Sequence, residues 1–486
     1  MTRPRLTLAR FSALGAAAAL LGGCVVGPNY KGPPTVAPQA AHAPAFHRGD
    51  AVTAGEPASH WWTALNDAEL DALVDEALRS SPDLAVARAR IVQARAGLKG
   101  ARAQGLPTTG TTAAYLRATG LSGALGGGQA SGQSAAAAGL ALPSTLEIYT
   151  ADFDATWELD LFGGKRRGVE GAKAKAQAAD AAFDGAKVSL EAEVAQAYVT
   201  LRQLQQRMAL SRRDADLERQ MLDLTRQRQA GGTASELDVE KLNNQFQSTQ
   251  AQIVPLQAQI TEQLDRLAVL TGREPGALDA ELSAAAATPA PPAVVAVGDP
   301  AALLRRRPDI RQAERQLQQA NAVIGERTAD LFPKVTLLGS IGYTAPELSH
   351  LFDSSSQSTI LAPLLQWTPF DFGRVRAQIA EAKGADAEAL ATYRKTVLEA
   401  LQDAETSLSR YGRQRDSLES LLRVQASAER SATLEALRQK GGTATTLEVL
   451  DTERQRVQAE QGVADARAQL TNDFIALQKS LGLGWS

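Results

Sequence analysis

The chain has 486 residues, with 51 Lys and Arg against 54 Asp and Glu, and this near balance (net charge −3) excludes the strongly basic surface of a nucleic-acid-binding protein. One cysteine and four scattered histidines (His42, His47, His60 and His350) exclude an intrachain disulfide and a cysteine- or histidine-based metal centre. Aromatic residues make up only 5% beside a 44% hydrophobic content rich in alanine, which supports helix but fills little core volume, so long, thin helical packing is expected.

Arg3, Arg5 and Arg10 precede an apolar run over residues 11–21, followed by Gly22, Gly23 and Cys24. A positive start, a short apolar run and small residues read as an export signal, and the run is too short to span a bilayer as a helix. Leu21-Gly22-Gly23-Cys24 resembles the bacterial lipobox. That resemblance implies a lipoprotein signal peptide at 1–23 and N-palmitoyl and S-diacylglycerol groups on Cys24. Val25 in place of Asp implies sorting to the outer membrane. An ordinary signal with an incidental cysteine is the plainer alternative. Residues 24–58 are Pro-rich and read as an acylated, extended segment. No later stretch of about 18 uncharged apolar residues occurs, so any membrane crossing must use a β-barrel.

The rest of the chain reads as two copies of one unit. Trp157, Phe162 and Gly163 recur 210 residues later as Trp367, Phe372 and Gly373, and Gly231-Gly232-Thr233-Ala234 recurs as Gly441-Gly442-Thr443-Ala444. Pro82-Asp83 and Pro107 recur at 226 as Pro308-Asp309 and Pro333. A Gly-, Ala- and Ser-rich run at 120–143 accounts for the difference as a loop. Repeat one is expected at 59–282, an Ala/Pro linker at 283–300 and repeat two at 301–486. Each repeat reads as a short helix (82–104, 308–332), two strands (108–120 and 146–159; 334–344 and 357–369) and a proline-free long helix (165–230, 374–440). A turn (231–233, 441–443) and a second helix follow. Leu190, Val194, Ala197, Leu201, Leu204 and Met208 step 4, 3, 4, 3, 4, as expected for knobs-into-holes packing, and Val463, Ala466, Leu470, Phe474, Leu477 and Leu481 step by threes and fours as well (3, 4, 4, 3, 4).

In the second strand Tyr149, Ala151, Phe153, Ala155 and Trp157 alternate with Thr150, Asp152, Asp154, Thr156 and Glu158. Apolar-out and polar-in alternation with aromatics near the ends is the signature of an outer-membrane strand, although a half-buried soluble strand gives the same pattern. Behind a lipobox the membrane reading gains. Four strands cannot close a barrel when the smallest use eight, so several chains must share one. Asp152, Asp154 and Glu158 would then line the barrel lumen as acidic rings that favour cations.

These residues together resemble the outer-membrane efflux channel family, the TolC-like outer membrane factors, and more closely the NodT-type lipoproteins of resistance-nodulation-division (RND) multidrug pumps. The resemblance is carried by the mature start Cys24-Val25-Val26-Gly27-Pro28-Asn29-Tyr30-Lys31-Gly32-Pro33, by Leu304-Arg305-Arg306-Arg307-Pro308-Asp309-Ile310, by residues 367–373 and by Leu481-Gly482-Leu483-Gly484-Trp485. It implies a mainly α fold with a small membrane β part: a homotrimer with a 12-stranded β-barrel in the outer membrane, a long α-helical periplasmic barrel, and a belt built near 60–80, 275–305 and the C-terminus. It implies passive export from an inner-membrane RND pump through a periplasmic adaptor (membrane fusion) protein, with no cofactor or metal. It also implies adaptor contacts at Arg228, Gly231, Gly232, Thr233 and Ser235, and at Arg438, Gly441, Gly442, Thr443 and Thr445. The family's periplasmic gate carries over to Leu447, Asp451 and Arg454, with Glu448 as an added acidic ring. Repeat one has Leu237, Lys241 and Asn244 at the equivalent places.

Other classes fit less well. No nucleophile elbow, phosphate loop or histidine–carboxylate cluster suggests an enzyme, and Gly126-Gly127-Gly128 has no strand-to-helix context. A periplasmic coiled-coil adaptor or scaffold lipoprotein would carry a lipoyl-like β domain between its hairpin arms. A type I protein secretion channel remains an alternative to drug efflux.

Overall fold

The computed structural model describes residues 25–53, 55–56, 58–119 and 145–484. The expected signal peptide, Cys24, the loop at 120–143 and Trp485 lie outside these residues. In chain order the elements are α1 (Pro38–His42), a 3-10 turn (Trp61–Leu65), α2 (Ala68–Ser80), α3 (Pro82–Ala103), β1 (Thr108–Thr119) and β2 (Thr145–Leu159), then α4 (Gly164–Ala230), α5 (Glu236–Thr271), α6 (Asp279–Leu282) and α7 (Pro300–Arg306). They continue with α8 (Pro308–Ala329), β3 (Lys334–Ala345), β4 (Gln357–Gln366), α9 (Arg374–Lys440) and α10 (Thr446–Ser480). The order α3-β1-β2-α4-α5 recurs as α8-β3-β4-α9-α10. Helices α4 and α9 have 67 residues each, a contour of about 100 Å. Among the described residues no helix is long and apolar enough to cross a membrane.

Contacts divide the chain into two units, one of Met1–Gly32, Ala94–Ala176 and Gln316–Ala389, the other of Pro33–Gln93, Gln177–Arg315 and Leu390–Ser486. The first holds an antiparallel sheet in the order β1-β2-β3-β4. Phe153 lies opposite both Thr111 and Ile341, and Ile341 opposite Thr359. Because side chains alternate with period two, this register carries one face across all four strands. Strand β4 ends at Gln366, three residues before the expected limit. Trp367 leaves the ladder there, its indole donating to Leu331 O at 3.2 Å. Pro369 has no N–H with which to continue a strand.

The second unit has a helical core in which both heptad stripes are buried or half-buried. Trp61, Trp62, Leu70, Leu73, Tyr198, Leu201, Leu278, Leu303, Phe474, Leu477 and Leu483 belong to one apolar cluster, so the segments expected to form a belt share a core. Trp61 meets Phe474 edge-on at 6.1 Å. Arg202, almost fully buried, pairs with Glu69 and donates to Leu282 O and to Ala284 O at 2.8 Å. Gly272 and Gly482, 210 residues apart, close α5 and α10 with φ of +78° and +68°. A Cβ at Gly272 would meet Ser80 O at 2.5 Å, and one at Gly482 would meet Arg307 Cγ at 2.9 Å. The duplicated hairpins therefore return to the duplicated entry helices by the same close approach.

Glu191 on α4 is fully buried, and neither carboxylate oxygen has a hydrogen-bond partner among the described residues. It lies against Gly484, where any side chain would collide with it. Burial pushes its pKa up to about 9, against a smaller opposing pull from Lys187. A carboxyl whose folded pKa is raised favours the folded state most below its unfolded pKa, and that advantage is lost as pH rises towards 9. Glu191→Gln should therefore flatten the fall in helix melting temperature between pH 5 and 9 and stabilise the chain at pH 8 by about 2–4 kcal/mol. A melting curve with the same pH dependence in both proteins would contradict this.

Candidate channel wall and helical hairpin tips

One face of the sheet carries Tyr115, Tyr149, Phe153, Trp157, Leu337, Ile341, Tyr343, Leu361 and Leu365. These are large apolar groups left open: Phe153 is 48% exposed, Leu361 72% and Leu365 65%. Tyr149 and Trp157 are eight residues apart in β2, or about 26 Å at 3.3 Å per residue. That span matches the outward apolar band of outer-membrane barrels, about 25 Å tall between aromatic girdles. At one end the Tyr115 and Tyr149 rings pack at 4.7 Å, with Arg117 and Glu147 paired beyond them at 3.5 Å. At the other end Trp157 donates to Gly105 O at 3.0 Å and Trp367 to Leu331 O.

The opposite face presents Thr112, Asp152, Asp154, Glu158, Thr336 and Ser340. All three expected lumen acids share it, but their surroundings differ. Asp154 accepts from the Thr112 hydroxyl at 3.1 Å, and Glu158 pairs with Lys165 at 3.3 Å. The Asp152 carboxylate lies over Gly342, where a Cβ would collide with it, and its Oδ1 has no hydrogen-bond partner among the described residues. This face is not uniformly polar, because Leu338, Ile360 and Leu364 form an apolar streak on β3 and β4.

The two hairpin turns are built alike. Gly232 and Gly442 hold φ of +73° and +75°, which ends each long helix. Thr233 donates its N–H and hydroxyl to Arg228 O at 2.8 and 3.0 Å, and Thr443 does the same to Arg438 O at 2.9 and 3.1 Å. The Arg438 guanidinium also reaches Thr443 O at 3.2 Å and pairs with Glu435 at 3.0 Å. Ser235 caps α5 in a reciprocal box with Asp238, and Thr445 caps α10 in one with Glu448. These bonds lower both carboxyl pKa values, through Ser235 for Asp238 and through Thr445 for Glu448. Sequence reasoning placed Ser235, Thr445 and Glu448 at functional positions but missed the boxes, although Ser-x-x-Asp and Thr-x-x-Glu after a Gly-Gly break spell them out.

Of the expected gate residues, Leu447 is half-buried and Glu448 is exposed in its cap. Asp451 and Arg454 pair at 3.2 Å within α10, and Gln455 donates to the other Asp451 oxygen at 2.8 Å. A second acidic group was not read from the sequence. Asp214 and Glu218 on α4 are buried, and each has an oxygen without a hydrogen-bond partner among the described residues. Burial and the Glu218 charge push Asp214 up to about 6, against the opposing pull of Arg454 and Gln458. Arg454 therefore faces carboxylates on two helices, and no local pattern in α4 distinguishes its inward acids from its solvated ones.

An exposed apolar sheet face of bilayer height in a chain that also carries paired long helical hairpins defines an outer-membrane channel protein. The family model described as outer membrane efflux protein matches residues 73–273 and 300–483, and the chain belongs to that family. Nodulation protein T of Rhizobium leguminosarum bv. trifolii is 30% identical over 468 residues, covering 96% of each chain. The pyoverdine export outer membrane protein OpmQ of Pseudomonas aeruginosa is 31% identical over 439 residues, 87% of each chain. The solved structure of the outer-membrane channel OprN matches with a TM-score of 0.84 at 34% identity, covering 95% of this chain and 100% of that one. The chain thus has the expected tandem-repeat TolC-like fold, mainly α with a small membrane β part, and it resides in the outer membrane.

Losing a cap hydroxyl costs a helix about 1 kcal/mol. Thr445→Ala should accordingly speed amide exchange in the first turn of α10 about fivefold, with no change in α5. Equal exchange in both proteins would deny the cap its role.

Proposed function

We propose that three copies of this chain close one twelve-stranded barrel and conduct small toxic compounds passively to the outside. The observation that carries this reading is the four-stranded sheet, apolar on one exposed face, whose β1 and β4 each pair on one side only among the described residues. An unpaired strand edge in hydrocarbon costs several kcal/mol per group, so β1 of one copy must pair with β4 of the next. Three copies give twelve strands, well above the eight of the smallest barrels.

The helices of the trimer then enclose a periplasmic tunnel. It receives its cargo from an inner-membrane RND transporter through an adaptor and performs no chemical step. The family's description and the relative named for pyoverdine export support efflux over protein secretion. Asp152, Asp154 and Glu158 repeat around the lumen as acidic rings. Leu447, Glu448, Asp451 and Arg454 converge on the axis as the gate. Arg228, Gly231, Gly232, Thr233 and Ser235, with Arg438, Gly441, Gly442, Thr443 and Thr445, meet the adaptor. Acyl groups on Cys24 add a second hold on the membrane.

Removing the Asp451 charge frees Arg454 and opens the gate. Asp451→Ala should raise single-channel leak conductance and vancomycin sensitivity, and unchanged values in both assays would refute the gate. Gly231 has ordinary φ and room for a Cβ, so Gly231→Arg should leave trimers intact and weaken efflux. Normal efflux in Gly231→Arg and its counterpart Gly441→Arg would refute the adaptor contact. Cys24→Ser should abolish labelling by radioactive palmitate, and a persistent label would move the anchor elsewhere.

A further inference from the structure

Charges on the polar face of the sheet fall at two levels. Asp152, Asp154, Glu158 and Lys334 occupy alternate positions of β2 and β3 that share this face, and Lys334 is its one basic residue among the described strand positions. Asp152 and Asp154 stand in the middle of β2. Among the described residues no Lys or Arg pairs with either, and Asp154 accepts instead from the Thr112 hydroxyl at 3.1 Å.

Glu158 stands four residues beyond Asp154, about 13 Å along the strand at 3.3 Å per residue. There β2 passes into α4 and α8 into β3, and the charges are matched. Lys165 pairs with Glu158 at 3.3 Å, and Lys334 pairs with Asp330 at 2.9 Å. Lys334 also lies close enough to Glu158 for their charges to attract. Asp160 accepts from the Lys165 and Arg166 amides at the start of α4 and pairs with the Arg166 guanidinium at 3.2 Å. Arg327 stands 3.9 Å from Asp330, and Glu326 lines the same cavity of about 200 Å³ as these groups. Four acids thus stand among four bases at this end of the sheet, and their charges cancel.

A carboxylate and an ammonium a few ångströms apart act as a dipole, whose field fades faster than that of a lone charge. Salt screens charges beyond about 8 Å at physiological ionic strength, and the step between the two levels is longer than that. The lysines therefore compensate the acids beside them and leave Asp152 and Asp154 uncompensated.

We propose that Lys165 and Lys334 are specificity-determining residues of the channel: they neutralise the acids at the base of the barrel, so that charge selection falls to Asp152 and Asp154 alone. This selectivity rests on the trimeric barrel reading and narrows its three lumen acids to one working pair. Six carboxylates, two from each of three copies, then attract cationic cargo in mid-barrel, while the matched base passes neutral and zwitterionic cargo without a charge barrier.

The test is the reversal potential of the full-length trimer in planar bilayers under a potassium chloride gradient, with and without Asp451→Ala to remove the acid at the tip. Lys165→Gln and Lys334→Gln should each raise the cation-to-anion permeability ratio at least about twofold, and Lys334→Arg should leave it unchanged. Removing a matched pair, Glu158→Gln with Lys165→Gln, should also leave it unchanged. Asp152→Asn with Asp154→Asn should lower it at least about twofold. Should Lys334→Gln fail to assemble, Lys165→Gln decides, because it lies on α4 outside the strands. Unchanged ratios in the lysine variants, a fall on removing the matched pair, or a cation preference that survives loss of both aspartates would each overturn the assignment while the barrel stands. Unaltered protein that forms no conducting trimer would overturn the barrel reading and the selectivity with it.

Discussion

A backbone hydrogen bond left unmade in hydrocarbon costs several kcal/mol, and the rest of this protein is arranged around that cost. Its sheet has an apolar face of bilayer height, yet among the described residues β1 and β4 each keep one row of amides and carbonyls unpaired. A soluble protein would cover such edges with a helix, a loop or charged side chains. In the proposed assembly these edges are the joints between copies, and the apolar face is left for lipid. The girdles of Tyr115 and Tyr149 at one end and Trp157 and Trp367 at the other fix its height, because each ring carries a polar atom suited to the interface.

The chain repeats one backbone frame and departs from that symmetry in individual side chains. Shared features are those the backbone demands: φ above zero at Gly163 and Gly373, at Gly232 and Gly442, and at Gly272 and Gly482. Divergent features are side chains. Arg307 donates to Ser480 O at 2.7 Å and pairs with Asp309, whereas Ser81 stands at the matching place in repeat one. Arg202 binds the segment after α5, and its later counterpart is Gly412. Asp451 and Arg454 replace Lys241 and Asn244. On a common scaffold, one repeat holds the N-terminal segment through Arg167 and the other carries the Asp451–Arg454 pair near the tip.

Much of this was legible in the sequence because it depends on neighbours along the chain. Period-two alternation set the faces of β2 and β3. A 3.5-residue rhythm marked the buried stripes of α4 and α10. Gly-Gly pairs marked the turns, and local spacing placed Asp451 and Arg454 one helical turn apart. Strand ends were less certain, since Trp367 continues the alternation of β4 while its indole is committed to Leu331.

The sequence by itself determined the repeat, the order of elements and the two faces of the sheet, because each follows from periodicity or from residues that a turn requires, while the family followed from the resemblance of its short motifs. Only the tertiary structure decided which polar groups are buried. Glu191 beneath Gly484, Asp214 facing Arg454 with Glu218 beside it, and Arg167 around residues 26–29 look like ordinary charges on polar helices. What distinguishes them is desolvation and the approach of segments up to hundreds of residues away, and neither is written in local order.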